Sequence, residues 1–481
     1  MESYIASVGM EVHAEISSQS KMFCRCPVGF GGEPNTRVCP ICLGLPGTLP
    51  VPNKAAIDAV LKTALALNCT IAMDSIFHRK NYFYPDLPKG YQVSQYGETN
   101  PLGCNGYLDI SGAKGDPKRI RIRRVHLEED TGKLMHLPSG GSGIDFNRAG
   151  VPLMEIVTEF PPDIQTPEES KDYLSELRKV LLYLGVCNGK MEEGSLRCEP
   201  NISIRKEDSK EYGTKTELKN LNSFRSVALG VAFEVRRQEA TLEAGGVVNQ
   251  ETRGWNEAKE SSFLMRIKET ENDYRYFPDP DLMPMQFTEG YIATLRESLP
   301  ELPLTRMNRY QMDFGLSPYD AGVLTSDQTW AKIFETIVNA GGDPKLCCNW
   351  MTGEWAKLLN ESGTIASESK ITSDHILEIL ELVQNETISG KTAKATFAEA
   401  FKTGKLPKQI IKESGATQIT DENQIREAAL NVINMNPEVV AKYKSGQISV
   451  AGFLVGNVMK ATGGRANAEI VQRLVKEILE K

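Results

Sequence analysis

No stretch of this 481-residue chain approaches the roughly 20 apolar residues that a membrane-spanning helix requires, and no low-complexity tract interrupts it. The opening "MESYIASVGMEV" has an acid at position 2 and lacks the basic-then-apolar build of a signal peptide, so the cytoplasm is the expected compartment. A basic excess is missing too: net charge is −8, which argues against a simple nucleic-acid binder. There is no dinucleotide fingerprint and no G-x-S-x-G elbow. "SGKT" (Ser389 to Thr392) has the tail of a phosphate loop, but Asn385 stands where that loop needs glycine and no strand precedes it. Any nucleotide chemistry here must therefore use an uncommon fold.

The charge is unevenly placed. Residues 441–481 hold seven Lys or Arg against three Glu, a net of +4, which leaves −12 upstream. Such a segment can contact phosphates or simply be a solvated helical surface.

Ten cysteines in a long chain with no export signal point to reduced thiols and metal sites rather than a disulfide framework. Cys69, Cys104, Cys187, Cys198, Cys347 and Cys348 are scattered and read as small buried hydrophobes. Cys24, Cys26, Cys39 and Cys42 differ. C-x-C, twelve residues, then C-x-x-C offers two close pairs of thiolates across a loop, the spacing of a closed tetrahedral zinc site. Buried thiols without metal are the alternative. Four thiolates leave no open position, so such a zinc would be structural.

At this length two or three domains are expected. Residues 1–295 read as α+β, with short strands such as "GYLDI", "RIRIRRVHLEED", "PLMEIVTEF" and "NISIR" between helices. In "NKAAIDAVLKTALALN" the apolar residues Ile57, Val60, Leu61, Ala64 and Leu65 fall at helical spacing. "TPEESKDYLSELRKVLLYLG" starts with Thr166 as N-cap, Pro167 at the first helical position and Glu169 as the reciprocal half of a capping box, and stops at Gly185. A proline-bearing linker near residue 297 introduces helical patterns only. The fold expected is a mixed-sheet, cradle-like catalytic domain (1–295), an all-α connector (296–406) and a small α-helical tail domain (407–481).

Three strands carry isolated metal-type ligands. In "VGMEVHAEI", alternation sends Glu11, His13 and Glu15 to one face and Met10, Val12 and Ala14 to the other. That suits a metal, although a half-buried strand with a polar outside is the commoner arrangement. "RVHLEEDTGKLMH" runs from Lys118, Arg119, Arg121, Arg123 and Arg124 into His126, Glu128, Glu129 and Asp130. Bases followed by acids suit a phosphate held by Arg beside a Mg²⁺ held by carboxylates. Glu155, in an otherwise apolar strand, is costly to bury unless paired or metal-bound. Polar runs such as "MEEGSLRCEPNISIR", "TKTELKNLNSF", "QETRGW", "MRIKE" and "DYRYFPDPDL" suggest a substrate cleft.

Taken in order, these stretches, together with "CPICLGLPGTLPVPN", "RKNYFYPDLPKGYQVSQY", "DFNRAGVPLMEIVTE" and "FLVGNVMKATGGRAN", resemble the B subunits of the glutamyl/aspartyl-tRNA amidotransferases over nearly the whole chain. The resemblance implies a kinase that uses ATP and Mg²⁺ to phosphorylate the side-chain carboxylate of Glu-tRNA(Gln) or Asp-tRNA(Asn). Ammonia from the glutaminase (A) subunit would then displace phosphate, with a small C subunit completing a heterotrimer. It also implies the non-discriminating aminoacyl-tRNA synthetase as a contact. By resemblance the Mg²⁺ falls to His13, Glu129 and Glu155, with Glu11 and Glu128 close by, and Lys80 sits toward the ammonia route. Arg148, Arg197, Lys215 and Lys219 are candidates for holding the nucleotide or the transferred phosphoryl group. Lys442, Lys444, Lys460 and Arg465 in the tail are candidates for touching tRNA, and the Cys₄ clip would hold Zn²⁺ as an accessory to the chemistry. A tRNA-binding adaptor without ATP turnover and a zinc-ribbon regulator of nucleic acid are the competing readings.

Overall fold

A computed structural model of the chain describes residues 4–96, 101–111, 117–137, 140–267, 274–414, 421–463 and 465–480. The motifs "MRIKE" and "DYRYFPDPDL" partly fall in 268–273, outside the described residues. The chain divides into two compact units, Met1–Pro303 and Leu304–Lys481. No described helix is long and apolar enough to cross a membrane.

The first unit is built on a nine-stranded sheet. Its strands in chain order are β1 (Tyr4–Glu15), β2 (Thr70–Ile71), β3 (Gly103–Ser111), β4 (Pro117–Glu129), β5 (Pro152–Thr158), β6 (Leu196–Lys206), β7 (Thr216–Lys219), β8 (Glu251–Asn256) and β9 (Ser261–Ile267). Their spatial order is β9-β8-β7-β6-β1-β5-β4-β3-β2. Neighbours are antiparallel except β7 and β8, which are parallel. The long β1 is central, flanked by β5 and β6.

The sheet has an oily face and a wet one. Met10, Val12 and Ala14 of β1, Val125 and Leu127 of β4, and Met154 and Ile156 of β5 all join one core. Helices α1 (Lys54–Ala66), α2 (Pro167–Leu184) and α3 (Phe224–Glu243) cover that face, and Val60, Leu61, Tyr173, Leu177, Val227 and Val231 complete the core. A register shift against β5 at Val157/Thr158 lets Ile120 and Ile122 point into the same core as Val125 and Leu127, although their parity differs. The alternate residues of β1, β4, β5 and β6 face the other way, and most of them are charged.

Helix caps follow the sequence closely. Asn53 caps α1 by accepting from the amides of Ala55 and Ala56, and α2 ends on Gly185 in the left-handed region (φ 66°). The expected capping box at Thr166 forms in one direction only. Thr166 Oγ1 accepts from the Glu169 amide at 3.1 Å, but Glu169 Oε2 accepts from Gln165 N, one residue upstream of the cap, at 2.9 Å. The other Glu169 oxygen is drawn away by Lys118, 2.7 Å off on β4.

In the second unit every named element is helical among the described residues. Its helices bury two separate apolar clusters. One gathers Tyr310, Phe334, Trp355, Ile379 and Phe397, and reaches Ile411 in the helix Pro407–Ser414. The other joins Ile425, Ala429, Leu454, Val458, Val471 and Leu474. Ser389, in the phosphate-loop lookalike, caps the helix Gly390–Thr403, which accounts for its position.

Candidate active site

The register across three strands assembles the polar face. His13 of β1 stands opposite Glu155 of β5, and Glu155 opposite His126 of β4. A row of imidazole, carboxylate and imidazole follows from pairing alone. His13 Nε2 lies 3.6 Å and His126 Nε2 3.2 Å from the same oxygen, Oε2 of Glu155. Two residues along β1, Glu11 Oε1 is 3.9 Å from His13 Nε2, and two along β4, Glu128 Oε1 is 3.2 Å from His126 Nε2. The result is two overlapping sets, Glu11–His13–Glu155 and His126–Glu128–Glu155, each with ligand atoms within 4.8 Å of one another. Arg124 Nη2 reaches Glu155 Oε1 at 3.5 Å. Gln92 (3.1 Å) and Ser94, both from the strand Tyr91–Ser94, donate to Glu128 and hold its carboxylate in place.

These groups strongly perturb one another. Burial opposes ionisation of Glu155, yet His126 and His13 outweigh it and hold that carboxyl well below the usual range. Burial likewise disfavours the charged form of His13, but its hydrogen bond and attraction to Glu155, with Glu11 adding, lift it to about 9. Glu11, pressed by burial and by the charge of Glu155, rises to about 7. Here protons sit where a cation could: three carboxylates around two imidazoles form a hard, oxygen-rich donor set suited to Mg²⁺. The buried Nδ1 of His126 and Nε of Arg124 have no partner among the described residues.

The expected triad His13, Glu129 and Glu155 is not brought together. Glu129 pairs with Pro152, not Glu155, in the register, so alternation sends its carboxylate to the opposite face. There it binds Lys89 and accepts from Val93 N at 2.9 Å, lining a cavity of about 210 Å³ with Tyr91, Arg79 and the cysteine loop. Its neighbour Glu128 occupies the site face instead. Asp130, Arg197, Arg148 and Glu15 form a flanking cluster. Arg197 Nη2 lies 2.5 Å and Arg148 Nε 3.6 Å from Asp130 Oδ2, and burial and Asp130 together push Glu15 up to about 7. Lys219 binds Glu199 and lies 3.4 Å from Glu217, while Lys215 is exposed. Three bases of β4 are already committed, Lys118 to Glu169, Arg119 to Asp109 and Arg121 to Asp163, and of that run Arg124 alone reaches the acids.

Lys80, in the strand His78–Asn81, has its ammonium 5.0 Å from the Tyr274 ring centroid. Burial works against its charge, but Glu128, Tyr276 and Glu155 outweigh that and raise its pKa. It is therefore a cation at the edge of the acid cluster. The sequence flagged Arg124 and His126 only as members of the β4 run of bases and acids, and it gave no signal for Gln92 and Ser94. His126 was legible from its two-residue spacing to Glu128; Gln92 and Ser94 become visible only once strand pairing places them.

The four clustered cysteines do converge. The Sγ atoms of Cys24, Cys26, Cys39 and Cys42 lie within 4.8 Å of one another, a donor set that fits a closed tetrahedral zinc. A hydrogen bond from Cys24 draws the Cys42 thiol down to about 4 against its burial, while burial pushes Cys26 up to about 11. In the tail, Lys442, Lys444, Lys460 and Arg465 are all exposed.

Residues 6–293 match the family model described as the GatB/GatE catalytic domain, and residues 332–479 match the GatB domain. The B subunit of the aspartyl/glutamyl-tRNA(Asn/Gln) amidotransferase from Brevibacillus brevis is 49% identical over 480 residues, covering 100% of this chain and 99% of that protein. The proteins of the same name from Caldanaerobacter subterraneus subsp. tengcongensis and Thermodesulfovibrio yellowstonii are 50% and 48% identical over 478 residues each, covering 99% of this chain and 100% of their own length.

Proposed function

The chain belongs to the family of aspartyl/glutamyl-tRNA amidotransferase B subunits, and from that premise we propose that the polar face of its sheet is the centre that activates and amidates the aminoacyl side chain. The overall activity is tRNA-dependent transamidation by a glutamine-hydrolysing ligase. A carboxylate is a poor electrophile, so amidation needs a leaving group first. The side-chain carboxylate of Glu-tRNA(Gln) or Asp-tRNA(Asn) attacks the γ-phosphorus of ATP and ADP departs. Ammonia then attacks the acyl carbon and inorganic phosphate leaves.

The observation that carries this reading is the convergence of Glu11, His13, His126, Glu128 and Glu155 from three strands onto one face. His13, Glu155 and either Glu11 or Glu128 would hold Mg²⁺, which when bound offsets the repulsion between carboxylate and triphosphate. Glu128 is the better-placed member of the Glu128–Glu129 pair. Gln92 and Ser94 keep it oriented, and Arg124 lies 3.5 Å from the Glu155 oxygen that the histidines leave free. Arg197, Arg148 and Lys219 stand beside the cluster as phosphate-holding candidates, each releasable from an acidic partner by an incoming polyanion. Lys80 supports an ammonia route ending at the acids, since its charge is fixed next to Glu128 and Glu155.

On this reading the chain works in the cytoplasm in a heterotrimer with the glutaminase (A) subunit and the small C subunit, and tRNA rests on Lys442, Lys444, Lys460 and Arg465. The test is amidation of Glu-tRNA(Gln) and Asp-tRNA(Asn), assayed side by side with the partner subunits present. Glu155→Ala and His13→Ala should each lower the rate about 100-fold or more, the scale of losing a group that stabilises transition-state charge, with the complex still assembling. Near-normal amidation by both variants would remove the site. Phosphate release from ATP that is the same with charged and uncharged tRNA would favour the adaptor reading.

A further inference from the structure

Lys21 is among the most deeply buried side chains of the molecule, 1% exposed, yet the mechanism does not use it. Its ammonium has two contacts, the carbonyl of Phe146 at 3.1 Å and Sγ of Cys42 at 3.6 Å, and among the described residues no carboxylate pairs with it. A buried ammonium without an anion is costly, so some negative charge must compensate it. The nearest candidate is the cysteine cluster. Cys42 is the buried member of the four, and its sulfur also receives the amide of Cys39 at 3.2 Å.

We infer that Lys21 is the counter-charge of the Cys₄ site: it donates to the Cys42 thiolate, offsets the negative charge that four thiolates leave on a zinc centre, and fastens that centre to the segment leading into β5. This rests on the reading of the four cysteines as a zinc site.

The backbone around Lys21 supports the fastening. Met22 N donates to Gly150 O at 2.7 Å, and Asn53, the cap of α1, donates to the carbonyls of Ser20 (3.0 Å) and Lys21 (3.3 Å). From the far arm of the loop, Arg37 N donates to Asn147 at 2.8 Å and Asn35 Nδ2 to Ile144 O at 2.9 Å. The clip is thus stitched at several points to residues 144–150, just before the strand that carries Glu155. Among the described residues Lys21 is the one stitch that reaches a sulfur ligand. Groups that hydrogen-bond to metal ligands typically change affinity by about 10- to 100-fold when removed.

The experiment uses the full-length chain and zinc itself. Zinc affinity is measured by competition with a chromogenic chelator for wild type and Lys21→Met, which fills the same volume without charge. Melting of the zinc-stripped proteins is measured alongside, as is the sulfur-to-metal charge-transfer band of the Co²⁺-substituted forms. Expected are a loss of zinc affinity of about tenfold or more, a charge-transfer band moved to lower energy, and unchanged melting of the stripped protein. Affinity within about twofold of wild type would overturn the role, as would an equal drop in melting of the stripped and loaded variant. A wild-type chain that binds no zinc would remove the site itself and Lys21's part in it, a failure distinct from a loaded site indifferent to Lys21→Met.

Discussion

Glu128 and Glu129 share a chemistry and a peptide bond, but the pleat of β4 gives them different neighbours. Glu128 meets His126, Ser94 and Gln92; Glu129 meets Lys89 and the amide of Val93. The site reading therefore assigns them separable roles. Glu128→Gln should raise the Mg²⁺ concentration that half-activates tRNA-dependent ATP cleavage by about tenfold or more, on the scale of losing one charged contact. Glu129→Gln should leave that requirement unchanged while destabilising the Lys89 side of the sheet. A Mg²⁺ titration of both variants decides the point, and the reverse pattern would restore Glu129 as the ligand. At this scale the sequence was partly legible. Alternation flagged Glu11 and His13 from β1 alone, and Glu155 stood out as an acid among apolar residues. The Glu128–Glu129 choice required the register with β5, which depends on partner strands distant in sequence.

At the scale of elements, local chemistry predicted the two ends of α2. α2 starts at Pro167 after the Thr166 cap and ends before Gly185 in the left-handed region, as its residues imply. Thr166→Ala should cost the first unit about 1 kcal/mol, because one amide of the first turn loses its acceptor. Its denaturation midpoint should fall accordingly, with amidation of the folded protein unchanged. A loss much smaller would mean that Glu169, bound to Lys118 and the Gln165 amide, holds the helix start by itself. The basic half of β4 was less legible. Its run of Lys and Arg suggested a phosphate site, but Asp109, Asp163 and Glu169, which neutralise three of those residues, lie on separate elements. The Arg121 and Lys118 partners lie 42 and 51 residues away, and even the cross-strand partner of Arg119 needs the strand register to be seen.

Across the whole molecule, the mixed strand-and-helix character of the first unit and the helical character of the second were foreseen, whereas the order of strands in the sheet was not. The latter depends on long-range pairing that composition does not encode. The net charge of −8 hides a basic end segment whose Lys442, Lys444, Lys460 and Arg465 are all exposed. Replacing these four with alanine should weaken tRNA binding and flatten its salt dependence, the log–log slope falling by about 0.7–0.9 for each phosphate no longer neutralised. An unchanged slope across a salt series would take the tail off the tRNA.

β1 carries a last consequence. From Met10 to Glu15, each residue that packs the core is followed by one that stands on the polar face. Durability and reactivity are thus written in the same six letters on alternate beats. An added or missing residue would exchange the two scripts at once, turning the hydrocarbon outward and the glutamates into the oil. Here either property is tuned most directly by substitution, because a one-residue change in length has to be absorbed by a bulge, as β4 absorbs its own.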